Sequence, residues 1–152
     1  MHVAIVGAGP AGSSAAYFLA RAGARVTLLE RARFPRDKVC GDGLTPRSLW
    51  MLEQLGITTA TSGPPPGAQA INNVYLASPG GIVVEAPMPR HIFGGRSAVL
   101  PRELLDELLV RHAVGAGAAL REGVLVEGLV RTERGVVVAL RGGERVEADV
   151  VL

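Results

Sequence analysis

The stretch GAGPAG at residues 7–12 decides the fold of this chain. It follows Val3–Val6, a short β-branched run typical of a buried strand, and it leads into Ala11–Arg21, an Ala- and Leu-rich run typical of a helix. In the GxGxxG pattern the first glycine permits a tight turn, the second a close approach of backbone to ligand, and the third close helix–strand packing. The sequence therefore predicts a diphosphate site on the free amides and positive dipole end of a helix.

A second strand completes the unit. Gly23 marks the predicted helix end, and Arg25–Glu30 (RVTLLE) reads as another buried strand, which gives a parallel βαβ unit with a right-handed crossover. Glu30 ends this strand 18 residues after Gly12. An acidic side chain there accepts hydrogen bonds from ribose hydroxyls and repels a 2′-phosphate. This context favours dinucleotide binding over a chance turn, but it does not separate FAD from NAD.

Two more helices are predicted beyond the long polar loop Arg31–Pro46. Ser48–Leu55 has helical spacing, and a later helix begins at Pro101 and ends near Gly115, since proline is tolerated at the first helical position. Four residues are predicted to form the apolar face of the later helix: Leu104, Leu105, Leu108 and Leu109.

The other regular elements are predicted to be strands. Val74–Ser78 and Ile82–Glu85, joined by Pro-Gly-Gly, predict an antiparallel hairpin. Three runs near the C-terminal end predict an antiparallel β-meander: Val124–Val130, Val136–Leu140 and Arg145–Val150. The predicted class is α/β, with a mostly parallel sheet, in one domain over residues 1–152. The last residues look like a strand that has just begun, so we expect the chain to be truncated.

Composition excludes several classes of protein. Hydrophobic residues make up 48% and charged residues 20%, as in globular domains, and a net charge of +2 is too small to indicate nucleic-acid binding. Cys40 is the only cysteine, so no intramolecular disulfide is expected. The three histidines are scattered without ligand-like spacing, which predicts no metal site. No apolar run approaches the ~20 residues that span a bilayer.

The loop after Glu30 carries the most specific pattern, FPRDKVCGDGLTPR at residues 34–47. Together with GAGPAG, this run resembles the geranylgeranyl reductase family of FAD-dependent proteins, including its menaquinone-reductase-like actinobacterial members. That family lies within the fold group of p-hydroxybenzoate hydroxylase, and the resemblance covers most of the chain. It implies a Rossmann-like FAD-binding domain with FAD as cofactor.

The resemblance also implies cofactor contacts. Glu30, with its neighbour Arg31, is expected at the adenosine ribose, and Val126 at the adenine through its backbone. Arg102, in LPRELLD, resembles an FAD-contacting arginine of the family. The remaining contacts fall into a diphosphate group and a flavin group: Gly7, Gly9, Ala11 and Gly12 for the first, and Cys40, Gly41 and Gly43 for the second. No catalytic residue is identified.

Simpler interpretations of these residues stay open. Arg102 and Asp106 are also spaced as an ordinary i,i+4 ion pair on a helix. The basic residues of the loop are equally compatible with a solvated surface, namely Arg31, Arg33, Arg36 and Lys38. Besides a flavin contact, Cys40 is compatible with an inert thiol, and a catalytic thiol is a further alternative.

The implied activity is the reduction of prenyl double bonds in an isoprenoid or quinone substrate. The resemblance places such a protein in the cytoplasm, with contact to a membrane surface and no spanning helix. A flavin monooxygenase or halogenase is an alternative, although the Cys-Gly-Asp-Gly loop argues against a halogenase. A non-catalytic FAD-binding remnant is another, because a further glycine-aspartate motif is expected beyond Leu152. A plain NAD-dependent dehydrogenase leaves the Cys40 loop unexplained.

Overall fold

The structure, a computed structural model, describes residues 1–59, 61–91 and 93–152. These residues form two compact units, one made of Met1–Lys38 with Arg102–Leu152 and the other of Val39–Pro101. The helices and strands follow in this order: β1 (His2–Val6), α1 (Pro10–Arg21), β2 (Arg25–Glu30), β3 (Gly43–Leu44), α2 (Pro46–Gln54), β4 (Gln69–Ile71), β5 (Asn73–Ala77), β6 (Val83–Pro87), a 3-10 turn (Phe93–Gly95), β7 (Ser97–Val99), α3 (Arg102–Gly115), β8 (Ala119–Glu122), β9 (Val126–Thr132), β10 (Gly135–Leu140), β11 (Arg145–Ala148) and β12 (Val150–Val151).

A four-stranded parallel sheet forms the centre of the first unit, with strand order β12-β1-β2-β8. The predicted βαβ unit is confirmed, because β1 and β2 pair in parallel, with Val3 opposite Val26, and α1 connects them. The apolar runs of the sequence become buried strands for this reason: Val3, Val26 and Leu28 lie between the layers with at most 2% of their surface exposed.

Of the outer strands of this sheet, β8 was not predicted from the sequence, whereas β12 lies in the last residues, where a strand that has just begun was expected. β8 (ALRE) carries charges at two of four positions and lies beside β2, with Leu28 opposite Leu120. The predicted strand Arg145–Val150 is in fact two strands, since β11 belongs to the meander and β12 pairs with β1. The change occurs at Asp149, whose amide donates to the His2 carbonyl at 2.9 Å and whose carboxylate accepts from the His2 amide.

The predicted apolar face of α3 was wrong in part. Leu105 and Leu109 are buried as expected, but Leu104 is 46% exposed and Leu108 is half-buried. The buried face also includes the fully buried Asp106, and its members are Leu105, Asp106, Leu109, Val110 and Ala113. The four leucines form two adjacent pairs, which together span more than one face of the helix. The packing of α3 on α1 therefore selects which of these leucines are buried. The helix begins at Arg102, directly after Pro101.

The predicted antiparallel meander is confirmed as a three-stranded sheet, β11-β10-β9, although β9 begins at Val126 rather than at Val124. Val138 and Leu140 of β10 pack with Leu29 of β2 and Ala4 of β1 in one buried cluster. The meander therefore covers one face of the parallel sheet.

The second unit contains a small sheet of order β3-β7-β4, the helix α2 and a separate hairpin. The hairpin β5–β6 is antiparallel, as predicted from its Pro-Gly-Gly turn. α2 begins at Pro46, two residues earlier than predicted, because Thr45 serves as N-cap and its Oγ1 accepts from the Ser48 amide. Across the described parts of the chain, no helix is both long and apolar enough to cross a bilayer.

Candidate functional site

The glycine-rich loop has the tight geometry that its sequence predicts. Gly7 adopts φ +97°, a conformation that favours glycine, and its amide donates to the Leu29 carbonyl at 2.8 Å. A Cβ atom at Gly12 would lie 1.9 Å from the Gly7 carbonyl oxygen and 3.3 Å from Cγ2 of Ile5. The third glycine is therefore required for close packing of the helix start on its own loop and on β1.

The first turn of α1 carries no anion of its own. Gly9 is the N-cap and has no side chain to accept from the free amides, and Pro10 takes the first helical position. The Ser13 hydroxyl turns back to the Ala8 carbonyl at 3.0 Å. The amides of Ala11 and Gly12 and the positive dipole end are consequently available to an external acceptor. These two residues, with Gly7 and Gly9, border an open cavity of about 420 Å³.

Glu30 ties the end of β2 to this loop. Its Oε2 accepts from the Ala8 amide at 2.9 Å and its Oε1 from the Ala32 amide at 3.0 Å, and the residue is 6% exposed. Each carboxylate oxygen has a second lone pair, so Glu30 retains acceptor capacity for a hydroxyl group. The sequence predicted a ribose acceptor at this position; the structure adds a role in fixing the loop.

Several predicted site residues meet at one cavity of about 320 Å³ within the first unit. Glu30 and Arg31 line it from the end of β2, and Val126 lines it from the start of β9. Gly7 and Gly9 of the glycine-rich loop line the same cavity. Residues from three separate parts of the sequence are thus brought around one space, which has room for a nucleoside.

Two guanidinium groups flank the second glycine. An ideal Cβ at Gly9 would lie 3.6 Å from NH2 of Arg36 and 3.9 Å from NH2 of Arg102. The predicted i,i+4 pair is confirmed as a bidentate one, with Arg102 Nε donating to Asp106 Oδ1 at 2.7 Å and its NH2 to Oδ2 at 2.8 Å. Arg102 therefore forms the ion pair and also faces the loop, so the two interpretations of this residue are compatible.

Arg36 was missed as a site residue. The interpretation of the loop's basic residues as solvated is wrong for this one: its side chain is 13% exposed and its NH2 lies 3.0 Å from Asp106 Oδ2. Arg31 and Arg33 are exposed, in line with that interpretation. No local pattern separates Arg36 from its neighbours, because the carboxylate that draws it inward comes from α3.

The predicted flavin contacts lie in the second unit. Cys40 is exposed, and Gly43 pairs with Val99 in the small sheet. Asp42, between the two glycines of this run, adopts φ +54°. The role of Cys40, Gly41 and Gly43 toward a flavin stays a prediction.

The residues of the first unit fit an anionic nucleotide. The space left by the missing side chain of Gly9 faces two cations, and Arg36 Nε is buried without a hydrogen-bond partner among the described residues. A buried donor without an acceptor is uncommon in proteins and indicates a partner outside the chain. Within the three described ranges, no cluster of three His, Cys, Asp or Glu side chains suits a metal ion.

Comparisons with known proteins agree with this geometry. The chain matches the family described as FAD binding domain over residues 1–151. It is 42% identical over 125 residues to menaquinone reductase of Mycolicibacterium smegmatis, covering 82% of this chain and 29% of the relative. It is 39% identical over 119 residues to digeranylgeranylglycerophospholipid reductase 1 of Methanopyrus kandleri, covering 76% and 28%.

Among solved structures, the flavin-dependent halogenase CmlS superposes on 99% of this chain and 28% of its own, with a TM-score of 0.83 and 30% identity. The chain therefore spans less than a third of the length of each of these relatives.

Proposed function

The chain belongs to the FAD binding domain family, and we propose that it holds the ADP half of FAD in an oxidoreductase that reduces prenyl double bonds. The observation that carries the proposal is the set of charges near Gly9. A Cβ atom there would lie 3.6 Å from Arg36 NH2 and 3.9 Å from Arg102 NH2, and Glu30 lines the same cavity as Gly9. Near the glycine-lined N-terminus of α1, the carboxylate matches a ribose and the two guanidinium groups match the diphosphate joined to it.

Each part of the nucleotide has a matching group in this proposal. The amides of Ala11 and Gly12 and the Arg102 guanidinium bind the diphosphate, and the remaining lone pairs of Glu30 accept from the ribose hydroxyls. The adenine lies against the backbone near Val126, which lines the same cavity as Glu30. Glu30 also disfavours a 2′-phosphate by charge repulsion, so FAD is preferred over NADP at this site.

The chemistry of the reaction comes from the bound cofactor. When bound, FAD supplies a carrier of two electrons that can deliver a hydride to one carbon of a double bond. This chain's own residues bind and orient the ADP end of the cofactor. The glycine-rich loop, residues 7–12, sets the distance of the ADP from β1, and Asp106 keeps the Arg102 guanidinium turned toward Gly9. We further propose that Cys40, Gly41 and Gly43 approach the flavin, because their run resembles the one at that position in geranylgeranyl reductases.

An isoprenoid chain is the proposed substrate, attached to a quinone or to a lipid. Support comes from the two reductases that share 39–42% identity with this chain, which are named for menaquinone and for a digeranylgeranyl phospholipid. Such substrates reside in bilayers, so we propose that the protein acts from the cytoplasm at a membrane surface. Flotation with vesicles that contain menaquinone tests this part, and an equal distribution with and without vesicles contradicts it.

Oxygen chemistry is a second candidate, favoured by the likeness to a flavin-dependent halogenase at 30% identity. The two candidates make different products from the same reduced flavin. A reductase adds two hydrogens to the isoprenoid, whereas a monooxygenase or halogenase modifies an aromatic substrate only when O₂ is present.

The cofactor site is tested by titrating the purified chain with FAD while flavin fluorescence and absorbance are recorded. We expect saturable binding of FAD and of ADP, with ADP competing for the same site. Failure of both ligands to bind contradicts the site.

The activity is tested on the polypeptide as the organism makes it, with chemically reduced flavin and menaquinone under anaerobic conditions. A mass gain of two hydrogens in the prenyl chain is expected, and an unaltered chain contradicts the reductase proposal. Repetition in air with an aromatic substrate and halide separates the second candidate.

A further inference from the structure

The proposed function assigns Arg36 no contact with a particular part of the nucleotide, although Arg36 is paired with Asp106. Arg36 lies in the loop after β2, and Asp106 lies on α3, fully buried. Asp106 accepts two hydrogen bonds from Arg102 and lies 3.0 Å from NH2 of Arg36. A single carboxylate thus holds two guanidinium groups.

The pairing leaves hydrogen-bond donors unused on the side of the glycine loop. A guanidinium has five N–H donors, and Arg36 contacts Asp106 through NH2 alone. Its Nε is buried without a partner among the residues that the structure describes. The same NH2 lies 3.6 Å from the place of a Cβ at Gly9, which is where the backbone approaches a diphosphate.

The charges around this point also favour an anion. Glu30 Oε2 lies 3.9 Å from Arg36 NH2, farther away than Asp106 Oδ2 at 3.0 Å, so Arg36 pairs more closely with Asp106 than with Glu30. Asp106 is shared by two cations, so the Arg36–Arg102–Asp106 cluster carries a net positive charge. A diphosphate at Gly9 would meet that excess together with the dipole of α1.

We propose that Arg36 is a second diphosphate-binding arginine, and that Asp106 is a positioning residue that turns Arg36 and Arg102 toward the same anion. This inference rests on the proposed binding of ADP by the glycine-rich loop. It also predicts that the affinity for a nucleotide depends on its number of phosphates. The guanidinium groups of Arg36 and Arg102 bind phosphate oxygens, and neither group is needed to bind the nucleoside.

The simpler alternative is that Arg36 only neutralises Asp106. A purely structural role predicts equal losses for every ligand of the site, or losses only in folding. Contact with the diphosphate predicts a loss for ADP and FAD and none for adenosine. The ratio of ADP affinity to adenosine affinity therefore separates the two.

The experiment is isothermal titration of the full chain and its variants with ADP, AMP and adenosine, and fluorescence titration with FAD. Arg36→Gln is expected to weaken ADP and FAD about 10- to 100-fold, as for a lost charge-assisted contact, and to leave adenosine unchanged. Arg36→Lys is expected to recover part of the loss, because it restores the charge without the fork. Arg33→Gln is the matched control: it removes the same charge from the same loop, where Arg33 is exposed beside Gly123, and it is expected to change ADP affinity less than about twofold.

Asp106→Asn tests the positioning role. If Asp106 acted by charge alone, its removal would raise ADP affinity, because one negative charge near the phosphates is lost. If Asp106 orients the guanidinium groups of Arg36 and Arg102, ADP affinity falls while adenosine affinity is unchanged, and this is the expected result. Circular dichroism establishes whether each variant is folded. If Asp106→Asn is unfolded, the Arg36 variants still test whether Arg36 binds the diphosphate.

Three results would contradict the proposed roles of Arg36 and Asp106. An unchanged ADP-to-adenosine ratio in folded Arg36→Gln overturns the role of Arg36, and a raised ADP affinity in Asp106→Asn overturns the positioning role. If the unaltered chain binds neither ADP nor FAD, the proposed function fails and this inference fails with it.

Discussion

The Oε2 atom of Glu30 accepts a hydrogen bond from the Ala8 amide at 2.9 Å, so the last residue of β2 holds the loop between β1 and α1. The residue expected to bind the ribose is therefore also a structural support of the diphosphate loop. The conformation of the glycine-rich loop and the proposed binding of the ribose therefore depend on one carboxylate, and a change at Glu30 should affect both.

Substitution of Glu30 by glutamine should destabilise the fold and weaken nucleotide binding together. Its amide nitrogen cannot accept from a backbone N–H, so either the Ala8 or the Ala32 bond is lost. We expect the free energy of unfolding to fall by about 1–3 kcal/mol in urea titrations. Complete removal in Glu30→Ala should weaken FAD binding by about 1–3 kcal/mol. Glu133→Gln, in the exposed β9–β10 turn, is the control, and equal stability of the two glutamine variants would contradict the role of Glu30.

Gly12 should not tolerate even one added methyl group. A Cβ there would lie 1.9 Å from the Gly7 carbonyl oxygen, and relief of that clash must move the start of α1. We expect Gly12→Ala to lower the free energy of unfolding by about 2–4 kcal/mol.

Gly115→Ala is the matched control for this substitution. Gly115 is the last residue of α3 and has no atom within 4 Å of an added Cβ. Alanine is favoured in helices, so its free energy of unfolding should be unchanged or raised by up to about 1 kcal/mol. Similar losses at both glycines would show that the close contact at Gly12 is relieved at little cost.

Asp106 should contribute more stability than its neighbour Glu107. Asp106 is fully buried between Arg36 and Arg102, whereas the Glu107–Arg111 pair is 3.4 Å long and largely exposed. Asp106→Ala leaves two guanidinium groups without their shared partner and should cost about 2–4 kcal/mol of unfolding free energy. Glu107→Ala should change it by less than about 0.5–1 kcal/mol. Thermal and urea unfolding of both variants give the comparison, and equal effects would refute it.

The pair Arg121–Glu144 should make stability depend on pH in the acid range. The hydrogen bond from Arg121 NH2, at 2.6 Å, holds the pKa of the Glu144 carboxyl below its ordinary value of 4.5, and the same bond raises the pKa of Arg121. A carboxyl with a lowered pKa in the folded state stabilises the fold above its unfolded-state pKa, and it loses that contribution as pH falls through the folded-state value.

We therefore expect wild type to exceed Glu144→Gln in Tm at neutral pH. The difference should shrink as pH falls below 4.5 and vanish below the lowered folded-state pKa of Glu144. Added salt should reduce the difference, because the pair is exposed. A difference that is constant from neutral to acid pH would rule out this ion pair as its source.

The elements with strong local signals could be predicted from the sequence. β2 has its predicted bounds because RVTLLE is rich in β-branched and leucine residues and lies between a glycine-ended helix and a polar loop. The hairpin β5–β6 was predicted by its turn residues, and α3 by its proline and its spacing. β8 was not predicted, because ALRE resembles any short amphipathic segment and becomes a strand only by pairing with β2.

The candidate site divides in the same way. Gly7, Gly9, Gly12 and Glu30 could be proposed from the sequence, because a short spacing in the chain fixes their relation. Arg36 was not found, since nothing in the residues around it distinguishes it from Arg33.

The sequence by itself determined the βαβ unit, the FAD-binding family and the place of the glycine-rich loop, because backbone turns and strand periods are set by neighbouring residues. Only the tertiary structure decided which arginines face that loop. A buried carboxylate must be neutralised by cations, and the fold brings Arg36 from the loop after β2 to within 3.0 Å of Asp106 on α3, beside its helical neighbour Arg102.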